Sequence, residues 1–246
     1  MRQAAGRIEI LGVPLDRVTL KQAASKVEEM LESGGTKVIV TPNAEIIMAA
    51  QKDIRLRRAI MLADLSLPDG IGVVIASRIL EEPLPERVAG FDLMMEMLKI
   101  ADRRQLSVYL LGGKPGVAEE SAAGIKAKFP GVRIAGTHHG YFDLSQQDKV
   151  VDEINGLKPH FIFVGMGAPR QEVFMVNNKD KIRGGIMMGV GGSLDVLAGR
   201  VSRAPQWMQR LGFEWFYRLV QEPSRIKRMV ALPLFLLKVL GVRGRR

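Results

Sequence analysis

Seven short apolar runs punctuate the first 190 residues of this chain, and six of them stop at a cluster of glycine and polar residues. The runs are "RIEIL" near the start, "KVIV" (37–40), "LSL" (65–67), "SVYLL" (107–111), "VRIAG" (132–136), "HFIFVGM" (160–166) and "GIMMGV" (185–190). Between them lie stretches such as "LKQAASKVEEMLES", "FDLMMEMLKIADRR" and "VAEESAAGIKAKF". Their apolar residues recur every three or four positions, the period of an amphipathic helix. Strands that are apolar on both faces and alternate with helices predict a mainly parallel sheet with helices on both faces, a Rossmann-like α/β fold. In such sheets ligands bind beyond the carboxyl ends of the strands. The six clusters, "TPNAE", "PDGIG", "GGKPG", "THHGYF", "GMGAPRQE" and "GGSLD", are therefore expected on one rim.

These clusters carry the candidate chemistry. Asp69 sits between Pro68 and Gly70. Pro-Asp-Gly is ordinary turn chemistry, but here it also puts a carboxylate at the expected ligand rim. "LLGGKPG", with Gly112 and Gly113, and "GVGGS", with Gly191 and Gly192, each follow a strand and precede a helical pattern. Backbone N–H groups so placed suit phosphate. Neither is a full G-x-G-x-x-G or a Walker A loop, and each glycine alone would also serve a tight turn. Together they favour a nucleotide or sugar-nucleotide site. A nicotinamide-dependent oxidoreductase is the competing reading, and it lacks the complete fingerprint and the acidic ribose-binding residue. No metal site is expected. The chain has no cysteine, no D-x-D, and three histidines, His138, His139 and His160, none at i, i+4 spacing. His160 reads as structural, and the His138–His139 pair is a candidate substrate contact.

Charge divides the chain. The net charge is +10, of which residues 200–246 hold +9, with eleven Lys/Arg against Glu214 and Glu222. Residues 1–199 are thus an almost neutral α/β body and 200–246 a basic appendage, helical where its pattern is readable. A basic tail suggests a polyanionic partner. The stretch 229–240 is apolar and is followed by a basic cluster. Such a segment is suited to lie in a bilayer interface, or else to pack as a last helix on the body. Nucleic acid is disfavoured, because the aromatics gather in one "EWFY" box instead of alternating with basic residues. A non-enzymatic binding module would leave "TPN", "PDG" and "APRQE" without a purpose. The start lacks the apolar core of a signal peptide, and no apolar run approaches the roughly 20 residues of a membrane span.

"TPNAEI", "LPDGIG", "PLPERVAGFDL", "YLLGG", "GTHHGYF", "GAPRQE", "GVGGSLDVLAG", "RAP" and "EWFYRLVQEPSRIKRM" together resemble the WecG/TagA/CpsF glycosyltransferases. The resemblance runs from "IEILGVPLDRVT" to the tail. It implies an inverting, metal-independent and cofactor-free enzyme at the cytoplasmic face of the plasma membrane. The implied donor is a UDP-sugar, UDP-N-acetylmannosamine above all, with its uronic acid or glucose as alternatives. The implied acceptor is undecaprenyl-diphosphate-linked N-acetylglucosamine, in the synthesis of teichoic acid or another surface polysaccharide. Asp69 matches the family's proposed catalytic base. Thr41, Asn43 and Gln171 match polar residues of its pocket, and Arg87 and Tyr141 are assigned to substrate. Arg218, Arg225 and Arg228 match tail arginines thought to close over the diphosphate. Arg170 stands where some relatives have Lys, which keeps the charge. From the tail itself the partners expected besides substrate are an anionic membrane surface and, through apolar surface exposed when the tail is undocked, a second copy of the chain, with no nucleic acid.

Overall fold

The six runs that end in clusters form one sheet, in a computed structural model that describes residues 6–210, 212, 214–221 and 230–243. Its strands are β3 (Thr36–Val40), β4 (Leu65–Ser66), β5 (Ser107–Gly112), β6 (Arg133–His138), β7 (Phe161–Gly165) and β8 (Gly185–Gly189). They lie in the order β4-β3-β8-β7-β5-β6, and every pair is parallel.

The period of two explains why both faces are covered. Tyr109, Leu111, Ile162, Val164 and Met187 join one core cluster. Their chain neighbours Val108, Leu110, Phe161, Phe163, Ile186 and Met188 join the other. Successive side chains of a strand point to opposite faces, so a strand that is apolar throughout needs a layer on each side. The second face is closed by α1 (Leu20–Ser33), α5 (Gly90–Arg104), α6 (Val117–Lys128) and α9 (Ser193–Leu197). The first is closed by α2 (Ala44–Ala50), α3 (Ile54–Met61), α4 (Ile71–Ile79), α7 (Gln147–Leu157) and α8 (Arg170–Asn177).

"RIEIL" corrects the expectation drawn from the sequence. It is β1 (Arg7–Ile10), and it pairs antiparallel with β2 (Val13–Asp16) in a hairpin outside the parallel sheet. Leu11 and Gly12 make the two-residue turn with φ of 51° and 74°. Positive φ at both central positions is the hairpin turn that matches strand twist. "VPLD" does not read as a strand, because Pro and Asp are depleted in strands.

Within the tail, α10 (Gln206–Arg210), α11 (Glu214–Gln221) and α12 (Ala231–Arg243) are described. Pro233 falls in the first turn of α12, where an N–H has no intrahelical partner to lose. Phe235 and Val239, one helical turn apart, are fully buried in the first core cluster. They pack toward α2 and α4. Close approach is possible because a Cβ at Gly72 would collide with Leu232 of α12. The tail's last helix is therefore seated on the body. Its other face leaves Leu234 (50 % exposed), Leu237 (64 %) and Leu240 (48 %) in solvent.

Candidate active site

The strand-end clusters do meet. They line a cleft of about 740 Å³ at the carboxyl ends of β3, β4, β5, β7 and β8. Asp69 lines it from the turn after β4. That turn is pinned by main-chain bonds: Leu67 N donates to Val40 O at 2.8 Å, Asp69 N to Pro42 O at 3.3 Å, and Val88 N to Pro68 O at 3.0 Å. The carboxylate is thus carried on a backbone tied to the neighbouring "TPN" turn. A Cβ placed on Gly70 would lie 3.7 Å from the Asn43 Cβ, which measures how closely the two turns abut.

Thr41, Asn43 and Gln171 also line the cleft, and each has a structural bond as well. Thr41 Oγ1 donates to Gly189 O at 3.4 Å, joining the ends of β3 and β8. Asn43 is the N-cap of α2, its Oδ1 accepting from Ile46 N at 3.0 Å. Gln171 Oε1 accepts from Gly167 N at 3.2 Å and from Gly191 N at 3.1 Å. One carboxamide thereby ties the loop after β7 to the loop after β8. Arg87, Gly113, Tyr141, Gly191 and Gly192 line the cleft as expected for substrate contacts. Gly112 does not. It is a strand residue paired with Gly165 at φ 150°, and a Cβ there would run into the Gly165 carbonyl. Its absent side chain lets β5 and β7 approach, so the glycine serves the sheet. His138 and His139 are likewise not among the lining residues. Of His160, Nδ1 lies 2.7 Å from Ser107 Oγ, the structural role read from the sequence. Arg225, Arg228 and the side chain of Arg218 lie outside the described residues.

The structure adds residues to which the sequence reading gave no role in the site. Lys114 and Arg170 bring positive charge to the cleft, and Glu45, Asp195 and Glu214 bring negative charge. Arg170 Nη2 donates to Phe142 O at 2.6 Å. Among the described residues no three His, Asp or Glu side chains converge as a metal cage. Glu172 is the least expected. It is buried, its Oε1 accepts from Gln171 Nε2 at 2.8 Å, and its Oε2 has no hydrogen-bond partner. It fixes the orientation of the Gln171 amide. "RQE" in the sequence signals a polar helix start, and only burial shows that the Glu points inward.

Burial pushes the Glu172 carboxyl up from the ordinary 4.5, against the opposing bond from Gln171. A carboxyl raised by folding contributes most below 4.5, and that contribution is lost as pH rises through its folded value. Glu172→Gln keeps the shape and an acceptor but cannot ionise. In thermal melts from about pH 4 to 8, the melting temperature of Glu172→Gln relative to the unsubstituted protein is expected to climb with pH. A difference that stays flat across this range would show that Glu172 ionises alike in the folded and unfolded chains.

A Rossmann-like sheet with a carboxylate and glycine-rich loops around one cleft is an architecture that nucleotide-handling transferases and oxidoreductases share, and the fold alone does not choose between them. Comparison with known proteins narrows this. The profile of the glycosyl transferase WecG/TagA/CpsF family matches residues 8–246. The chain belongs to that family of glycosyltransferases. It is similar to the N-acetylglucosaminyldiphosphoundecaprenol N-acetyl-beta-D-mannosaminyltransferase of Staphylococcus aureus strain MW2, with 38% identity over 240 residues. That match spans 97% of this chain and 94% of the relative, so body and tail are both included. The enzymes of the same name from strains NCTC 8325 / PS 47 and COL match with the same identity and coverage.

Proposed function

We propose that this glycosyltransferase moves N-acetylmannosamine from a UDP-linked donor to N-acetylglucosamine carried on undecaprenyl diphosphate, with inversion at the anomeric carbon. The observation that carries this reading is the convergence of Asp69, Thr41, Asn43 and Gln171, from three separate segments, on one cleft. Similarity over nearly the whole chain to staphylococcal enzymes named as N-acetylmannosaminyltransferases acting on N-acetylglucosaminyldiphosphoundecaprenol supports the transferred sugar and the acceptor. In this reading the Asp69 carboxylate takes the proton from the acceptor hydroxyl. The freed oxygen bonds to the anomeric carbon, and the bond to the UDP β-phosphate oxygen breaks on the opposite face. A base contributes only if it is held within reach of that proton, and the pinned Pro-Asp-Gly turn suits this. The Asn43 side-chain amide has no partner among the described residues and is available to a sugar hydroxyl. Arg87, Lys114 and Arg170 line the cleft where negative charge develops on the leaving diphosphate.

Residues from 200 onward act in this proposal as a docking element. No helix among the described residues is long and apolar enough to cross a membrane. Trp207, Phe216, Val220, Leu234 and Leu237 are nevertheless exposed on three tail helices, in the segment that carries most of the net charge. An apolar surface beside basic residues suits an anionic bilayer, at roughly 1 kcal/mol per basic residue. Docking there would bring the cleft to a lipid-linked acceptor at the cytoplasmic face. Leu234→Asp combined with Leu237→Asp alters only exposed positions. It is expected to leave the melting temperature unchanged and to reduce sedimentation with phosphatidylglycerol vesicles severalfold. Full vesicle binding by this variant would remove α12 from the docking surface.

The test of the function is direct. UDP-N-acetylmannosamine and a short-chain lipid-linked N-acetylglucosamine acceptor are incubated with the protein in EDTA, and UDP release and product anomer are measured. Release dependent on the acceptor, with an inverted linkage, is expected. Release only with another UDP-sugar would change the donor. Activity abolished by EDTA and restored by Mg²⁺ would put a metal at the leaving group.

A further inference from the structure

One carboxylate stands between two arginines at the wall of the cleft. Arg87 Nη1 donates to Glu214 Oε2 at 3.1 Å, and both side chains are largely buried, 18% and 12% exposed. Arg203, from the "RAP" segment, stands behind. Its guanidinium is fixed on two sides: Nη1 is 2.6 Å from Asp92 Oδ1, and Cζ lies 4.6 Å from the centre of the Phe91 ring. The remaining donors, Nε and Nη2, are buried and have no hydrogen-bond acceptor. Glu214 Oε1 lies 3.7 Å from Nε, inside ion-pair range and outside hydrogen-bond length. Buried donors of a charged group left unbonded are costly. The arrangement therefore holds an unspent acceptor demand within a small movement of the carboxylate that Arg87 now holds.

Arg87 lines the cleft, and so do Phe91 and Glu214. A phosphate that approaches Arg87 competes with Glu214 for the charge of the guanidinium and for its Nη1 donor. Displacing a carboxylate from a mostly buried pair is expensive unless another cation receives it. Arg203 is built to receive it. Resting on the reading of the cleft as a sugar-nucleotide site, we propose that Glu214 is an exchangeable counter-ion: a substrate phosphate takes Arg87, and the carboxylate closes on the Nε and Nη2 of Arg203. Arg203 is then a positioning residue that acts on substrate through Glu214 and Arg87. Glu214 is the first residue of α11, and Trp215 beside it also lines the cleft. The exchange thus couples anion binding to the placement of the tail.

The coupling is tested by calorimetric titration of the full chain with UDP, in a double-substitution cycle. Glu214→Gln removes the competing charge and keeps the size, so UDP is expected to bind about fivefold tighter or more. Arg203→Met removes the receiving donors, and UDP is expected to bind about fivefold weaker or more. In the Glu214→Gln background the Arg203 substitution is expected to have no effect, because no displaced charge then needs a receiver. A purely structural Arg203 would weaken binding in both backgrounds, and a purely structural Glu214 would never give tighter binding. If Arg203→Met fails to fold, Arg203→Lys serves, since it keeps charge and loses the planar fork. Unchanged or weaker UDP binding by Glu214→Gln, or an Arg203 effect equal in both backgrounds, overturns the exchange. Inorganic pyrophosphate is titrated in parallel. Binding of pyrophosphate without UDP would count against the sugar-nucleotide reading alone, and the same cycle read with pyrophosphate then decides the exchange. No binding of either anion to the unsubstituted protein or to Glu214→Gln overturns it.

Discussion

Asp69→Asn is expected to lower turnover by about 10²–10⁴-fold with donor and acceptor saturating, while the protein melts where it did before. Asp69 has two separable roles, one in the turn and one in the proposed chemistry. The turn is held through main-chain atoms, Asp69 N to Leu67 O at 3.0 Å and Val88 N to Pro68 O at 3.0 Å, and Asn keeps these. Asn also tolerates turn conformations as Asp does. What is lost is the group that accepts the proton. A neutral amide has nearly the same shape and almost no basicity, so the loss should appear in kcat more than in KM. Near-normal kcat in Asp69→Asn would return the residue to a turn role and leave the reaction without its base. A large drop in melting temperature would instead mean that the carboxylate holds the fold.

Phe235→Ala is expected to destabilise the whole protein by about 3–5 kcal/mol, read as a lower urea midpoint with an unchanged slope. Against a typical total of about 5–15 kcal/mol this is a large fraction. Phe235 is fully buried in the cluster that also contains Val73 of α4, Ile47 of α2 and Met187 of β8. Its removal leaves a cavity that the surrounding structure closes only in part. The result bears on how the chain divides. A neutral body that folds alone and a separable basic tail follow from charge, but burial of Phe235 and Val239 ties α12 to the body's core. A chain ending at Leu197 is accordingly expected to lose stability along with the tail. If Phe235→Ala costs less than about 1 kcal/mol and the shortened chain unfolds as cooperatively as the full one, the division near residue 199 holds and α12 is only docked.

Glu172 and Glu214 owe their places to contacts that no local sequence pattern encodes. The "TPN", "PDG" and "APRQE" segments are legible as a site because each follows an apolar run, and parallel strands deliver their ends to one rim. That a glutamine there would bridge Gly167 N and Gly191 N, with a buried glutamate steering its amide, depends on the spacing of β7 and β8. The Arg87–Glu214 pair joins residues 127 positions apart, and no local pattern couples them. Gly112 falls outside the cleft lining for a similar reason. A glycine at a strand end looks the same whether it faces a ligand or a neighbouring strand.

By itself the sequence determined the six parallel strands, the helices between them, the rim on which the clusters fall and the position of Asp69. These follow from short-range rules: a period of two with both faces apolar, a period near 3.6 with one, and turn residues between. Tertiary structure alone decided the strand order β4-β3-β8-β7-β5-β6, because Ile39 of β3 meets Met188 of β8 only once the layers are packed. It also decided that "RIEIL" leaves the sheet for a hairpin with "VPLD". It decided the fate of the last apolar helix as well. Residues 231–243 are apolar around much of the helix, and a bilayer interface and a protein core both accept such a surface. The face that was taken inward is the one carrying Phe235 and Val239, because Gly72 leaves room for Leu232 beside it, while Leu234 and Leu237 are left outside.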